Sequence, residues 1–249
     1  MVALDERVMI DRPFPGGIGV SHLRVYDSPA PDGLAGGTPH LHTVCTEAYV
    51  VVAGSGAVHT LTMSGPREWP LEPGAFVWFT PGTIHRLVNH GGLEIIVLMA
   101  NAGLPEAGDM VITFPESILA DRDDYARAAA LPDDDRTTAG PGNAPRQRRD
   151  LAVPCFLELV DAVNTGDHAP LERFYDAAAA LVEPSIREWE RIWRAGPLAA
   201  AESTGQQLAA LAQRDPSHLT AAAVHSLPPL AAERRYGCCG TLGTYVDAG

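Results

Sequence analysis

Residues 37–54 read G-T-P-H-L-H-T-V-C-T-E-A-Y-V-V-V-A-G, two histidines two apart, a glutamate five residues later, and a β-forming run closed by glycine. Side chains on an extended chain alternate with a period of two, so His40 and His42 point the same way. Glu47 opens a strand over residues 47–53, on which Glu47, Tyr49 and Val51 share one face and Ala48, Val50 and Val52 the other. Residues 74–89, G-A-F-V-W-F-T-P-G-T-I-H-R-L-V-N, set His85 just after the turn Pro81-Gly82, at the head of a strand that carries His85, Leu87 and Asn89 on one face.

Outward from these two stretches the chain keeps the same rhythm. Strands are expected at 21–26, 47–53, 57–63, 75–80, 84–89 and 94–99. Between them lie Gly54-Ser55-Gly56, Ser64-Gly65-Pro66, Glu72-Pro73-Gly74, Pro81-Gly82 and Gly91-Gly92. Short β-rich runs with turn residues this regular predict an all-β sandwich or barrel. Three imidazoles and one carboxylate in such a barrel form a ligand set for a divalent transition metal. Four protein ligands on a six-coordinate ion leave two positions for water, substrate or dioxygen.

The two stretches resemble the two signature motifs of the cupin superfamily. His40-x-His42, Glu47 and Gly54 match the first; Gly74, Gly82, His85 and Asn89 match the second. Thr80 stands in the second motif's first proline slot, with the proline one later at Pro81, and Leu34 stands where the first motif opens on glycine. The resemblance implies a double-stranded β-helix (jelly-roll) barrel over residues 13–114. It also implies metal ligands His40, His42, Glu47 and His85, one divalent transition metal per chain (Fe, Mn, Ni or Zn), and a homodimer. It says nothing of the remainder.

After residue 114 the composition shifts to alanine and leucine with acidic and arginine residues. A short helix or two is expected over 115–130, then a flexible linker to 150. A C-terminal α-helical extension over 151–249 should follow, with helices near 154–164, 171–195 and 197–213. The apolar residues of 171–195 recur at helical spacing, and Pro184 should kink or split that helix. Residues 234–249 show no periodicity and are expected to be irregular.

Further residues near the motifs have a functional and a structural reading. Tyr49 faces the interior beside Glu47, as a hydrogen-bond donor to a bound anion or as core; Glu47 and Tyr49 are the candidate catalytic pair. Phe76 and Trp78 share a face and are expected in the core, or walling an apolar pocket. Arg86 should face outward to surface or interface. Cys45 is a soft donor near the metal or an inert buried thiol. His22 and His59 reach the cavity only if their strands have that parity. Arg146, Arg148 and Arg149 either clamp an anion over the barrel mouth or lie in a solvated linker.

Composition narrows the field. Asp+Glu 31 against Lys+Arg 18 gives a net charge of -13, which disfavours nucleic acid and anionic membrane. All the basic residues counted there are arginine, so Schiff-base catalysis and a P-loop are excluded. Four cysteines without a CxxC pattern, no signal-like N-terminus and no run of the ~20 apolar residues a membrane helix needs predict a cytoplasmic protein. The expected function is a mononuclear metal enzyme on a small organic substrate, first a dioxygenase, second an isomerase or epimerase of a carbonyl compound or sugar. The third reading is a non-catalytic small-molecule-binding module.

Overall fold

The computed structural model describes residues 14–245. The expected barrel start at Pro13 and the N-terminal stretch read for a signal peptide lie outside the described residues. The strands are β1 (Gly19–Val25), β2 (His40–His42), β3 (Glu47–Thr62), β4 (Gly65–Leu71), β5 (Phe76–Phe79), β6 (Ile84–Met99), β7 (Met110–Ile112), β8 (Arg235–Tyr236) and β9 (Gly240–Thr244). The helices are α1 (Glu116–Leu119), α2 (Arg122–Ala129), α3 (Asn143–Asn164), α4 (Ala169–Val182), α5 (Ile186–Trp193), α6 (Ala199–Ala212) and α7 (Ser217–Thr220).

Four expected strands merge into two. β3 and β6 are each 16 residues long and pair antiparallel along their whole length, with register shifts between Val51 and Gly56. At those shifts the ribbon turns a corner. Gly54 sits there with φ +70°, and a Cβ on it would lie 2.1 Å from the Gly92 carbonyl oxygen, so the corner admits only glycine. One half of the ribbon joins β5, β1, β9 and β8 in a first sheet; the other joins β4, β2 and β7 in a second. The two halves face each other as a sandwich. Tyr49, Val51, Leu87, Ile95 and Val97 fill the space between them, at about 1.5–3 kcal/mol for each large apolar side chain buried.

The outer face of the second sheet is covered by the chain's own helices. Leu41, Leu61, Ile84, Val111 and Ile112 pack with Phe156 of α3 and with Leu171 and Phe174 of α4. The helical run from Ala169 to Ala212 is broken where expected, by a 3-10 turn at Glu183–Ser185 that contains Pro184. Among the described residues the outer face of the first sheet has no such helical layer. Its cross-strand rows are Trp78–Ala48–Leu98–Val20 and Phe76–Val50–Ile96–His22. Trp78 is 63% exposed and Phe76 53%, so neither lies in the core or walls an interior pocket. They stand on the face opposite Val77 and Phe79, which pack into the core, and among the described residues no helix covers that side.

Three expectations of loop or surface change with tertiary contact. Residues 143–150 are not linker but the first turns of α3, whose amino end is capped from outside the helix. Asp135 accepts from the backbone N–H groups of Gly142 and Ala144. Within those turns Arg149 donates to Ser28, Pro29 and Gly36, and Arg148 to the carbonyls of Ala129 and Gly237. Both guanidiniums pin loops together, and Arg146 is exposed, so no anion clamp forms over the barrel mouth. The irregular tail is in fact β8 and β9, with β9 paired to β1 as an extra strand of the first sheet. Arg86 does point away from His85, but the loop 28–37 lies over it. It is fully buried, ion-paired to Asp32 and bonded to the Gly37 carbonyl.

Candidate metal centre

His40 and His42 come from β2, Glu47 from the first residue of β3 and His85 from the second residue of β6. β2 pairs with β6 so that His40 stands directly across from His85. Leu41 between the two histidines faces the helical layer, which forces both imidazoles inward. The Thr80–Thr83 turn delivers His85: Gly82 has φ +85°, and the Thr83 N–H bonds back to the Thr80 carbonyl. Pro81 thus occupies the first inner position of the turn and Gly82 the second, where left-handed backbone is needed. Asn89, the last residue of the second motif, serves the corner instead. Its amide donates to the Val25 and Tyr26 carbonyls and its oxygen accepts from Gly91 and Leu93.

The four side chains are buried, and one donor atom from each lies within 4.8 Å of the others. Ring nitrogen partners fix how they face. Nδ1 of His40 is 2.8 Å from the Thr38 carbonyl and Nδ1 of His85 is 3.1 Å from the Thr83 carbonyl. A carbonyl only accepts, so both rings carry hydrogen on Nδ1 and turn Nε2 to the centre. Nδ1 of His42 meets Oδ1 of Asp109 at 2.7 Å. Glu47 Oε2 lies 3.1 Å from His85 Nε2 and 3.4 Å from His42 Nε2, yet the His85 nitrogen and the Glu47 oxygen have no aligned hydrogen-bond partner. Buried lone pairs converging on one point without a donor between them need a cation. The residues therefore fit one divalent metal ion, and neutral imidazoles with a carboxylate are the right donors for a transition metal.

The local electrostatics agree. Burial would raise the Glu47 carboxyl, but His85 and His42 hold it well below its usual range. Burial and then the charges of His85 and His42 push His40 well down. Burial also opposes charge on His42, yet Asp109 and Glu47 raise it to about 10.

Tyr49 lies in the interior as expected, with its ring 5.3 Å from Phe79 and 6.4 Å from His85. Its hydroxyl is buried with no aligned partner, and burial, Glu47 and Cys239 all push its pKa far up. Cys45 is buried, its thiol pushed up by burial and Asp109, and it is absent from the ligand cluster. His22 faces Glu94 and His59 faces Glu68, both away from the centre. Two contributors have no motif in the sequence. One is Asp109, fully buried ahead of β7. The other is the Cys238-Cys239 pair of the returning tail, whose thiols burial and Glu47 raise. The cysteine doublet was visible, but only the pairing of β9 with β1 brings it inside. A cavity of about 490 Å³ lies nearby, lined by Leu41, Thr43, Val44, Pro81, Tyr175 and Trp189 among others; none of the four donors lines it.

Residues 30–101 match the family model described as "Cupin domain", so this chain carries a cupin domain with a substantial helical region after it. No curated protein matches the sequence. Among solved structures, similarity is found to QdtA, a sugar 3,4-ketoisomerase from Thermoanaerobacterium thermosaccharolyticum in complex with TDP. The match has 14% identity and a TM-score of 0.31, covering 37% of this chain and 64% of that one. A predicted oxalate decarboxylase from Thermotoga maritima matches at 19% identity and TM-score 0.26, over 32% of this chain and 64% of its own. A putative sugar phosphate isomerase from Acidithiobacillus ferrooxidans matches at 25% identity and TM-score 0.25, over 33% and 47%. This chain spans less than two thirds of the length of each of these three.

Proposed function

We propose that this protein is a mononuclear metal-dependent enzyme that isomerises a small carbonyl compound or sugar, with His40, His42, Glu47 and His85 holding the ion. A bound divalent ion would polarise a carbonyl oxygen placed on it. The observation that carries the reading is the Tyr49 hydroxyl. It is buried beside Glu47 and lacks an aligned partner; a phenol carries its proton at neutral pH, and burial with Glu47 alongside only reinforces this. A donor locked in its protonated form suits sharing a hydrogen with a carbonyl oxygen that gains negative charge. Glu47 is the one charged group of the cluster and serves as the candidate base. A dioxygenase could use the same four donors, and the test below separates the two.

The bare face of the first sheet supports assembly as a homodimer. Phe76 and Trp78 are exposed there beside the partly covered Val20, Val50, Ile96 and Leu98, and the rim carries Arg24 beside Glu94. A two-fold axis would let Arg24 of one copy meet Glu94 of the other.

The test has two parts. Elemental analysis of protein purified without chelator should find about one transition metal per chain, largely lost in His40→Ala, His42→Ala or His85→Ala. A panel of small hydroxy-carbonyl compounds in D₂O should show deuterium entry next to the carbonyl. Tyr49→Phe should lower that exchange about 100-fold while the metal stays bound. Oxygen uptake without deuterium exchange would replace this reading by the dioxygenase; ligand binding without either would make the domain a binding module.

A further inference from the structure

The three imidazoles are not held alike. His40 and His85 each donate Nδ1–H to a backbone carbonyl, which is neutral; His42 meets a carboxylate. That carboxylate, Asp109, is fully buried, and both its oxygens are engaged. Oδ1 takes the His42 ring hydrogen and Oδ2 accepts the backbone N–H of Cys45 at 3.1 Å. The Asp109 carbonyl in turn accepts from the N–H and the hydroxyl of Thr43. One residue therefore holds His42 together with Thr43 and Cys45 of the short loop that leads to Glu47. No arginine shares in this contact among its hydrogen bonds and ion pairs in the described residues.

We propose that Asp109 is a positioning residue for the metal centre: it fixes the His42 ring and its tautomer, strengthens Nε2 as a donor, and supplies a second buried negative charge to set against a divalent ion. This rests on the four-donor reading above. A carboxylate behind a ligating imidazole raises the basicity of the ligating nitrogen and locks its orientation. Here it also balances charge. Glu47 and Asp109 together offer two negative charges in a buried site, which match the charge of a divalent cation. His42 should then be the strongest of the three nitrogen donors, although the motif gives the histidines equal standing.

The experiment measures Co(II) and Zn(II) affinity by competition with a chromogenic chelator in wild type, Asp109→Asn and Asp109→Ala, with far-UV circular dichroism to establish folding. Asparagine can still accept from Nδ1–H, but it loses the charge and turns an N–H₂ toward the Cys45 N–H. Asp109→Asn should weaken metal binding about 10- to 100-fold and shift the Co(II) visible bands; Asp109→Ala should do at least as much. A folded Asp109→Asn protein with an unchanged Co(II) spectrum and affinity within twofold of wild type would overturn the proposal. A second measurement needs no variant. In the zinc-loaded wild-type protein the Nδ1–H proton resonance of His42 should lie downfield of those of His40 and His85, because only its acceptor is charged. Three equal shifts would also overturn it. Failure of wild type to bind either metal would instead remove the four-donor reading itself.

Discussion

The two outer faces of the sandwich are built from the same two strands and meet opposite fates. On the second sheet Leu61 and Ile84, with Leu41, lie under α3 and α4 and are fully or almost fully buried. On the first, Val50 and Ile96 are only partly covered, and Phe76 and Trp78 stand in solvent. Both faces are apolar in sequence, so hydrophobicity does not separate them. What separates them is where the chain goes next. β7 runs beside β2 and leads into α1 at the second sheet's edge, so the helices that follow fall on that side. The lesson is that an apolar strand face specifies that it needs cover, and connectivity specifies whose.

The covered side should be the one whose disruption unfolds the protein. Phe156→Ala, at the centre of the layer between α3 and the second sheet, should cost about 3–5 kcal/mol in urea unfolding. A loss below 1 kcal/mol would mean that the helices sit on the barrel without contributing to its stability. The covered side also contains a charge that the bare side would leave in water. Asp32→Asn strands the buried Arg86 and should cost about 3 kcal/mol at neutral pH.

That second loss should depend on pH in a defined direction. Burial alone would raise the Asp32 carboxyl, but Arg86 holds it below its ordinary 3.8. A depressed carboxyl contributes fully above its unfolded value, and the contribution fades as pH falls through the folded value. The gap between wild type and Asp32→Asn should therefore be constant above about pH 5 and close below about pH 4. A gap that stays open in acid would show that Asp32 acts through shape and not charge.

The bare side should show the reverse profile. Trp78→Ala should weaken self-association by about 2 kcal/mol, read as a shift of the monomer–dimer equilibrium in sedimentation velocity. The same change should move monomer stability by less than about 0.5 kcal/mol. If wild type is monomeric at all accessible concentrations, the face is simply exposed.

Much of the centre was legible. His40, His42, Glu47 and His85 carry their meaning in spacing: a period of two aims the first pair, and turns place the others at strand starts. Arg86 was half legible. Alternation gave its direction correctly, but not the loop that covers it, so a residue expected at the surface proved to be buried. Phe76 and Trp78 erred the other way, because an aromatic pair on a strand reads as core until the helices are seen to pass elsewhere.

By itself the sequence determined the strand segments, the inward cluster of three histidines and a glutamate, and the helices with the Pro184 break, since each depends on neighbours a few residues apart; that the segments join into two long strands bent at Gly54 was decided by their pairing. Only the tertiary structure decided the rest. Asp109 reaches His42 across 67 positions, and Asp135 caps a helix that begins beyond the loop it sits in. The Cys238-Cys239 pair enters the interior because β9 pairs with β1, at the other end of the described chain. A carboxylate has no local mark that tells a surface charge from one aimed at a buried imidazole. That difference lies in desolvation and in the partner it meets, and both are set when distant segments pack.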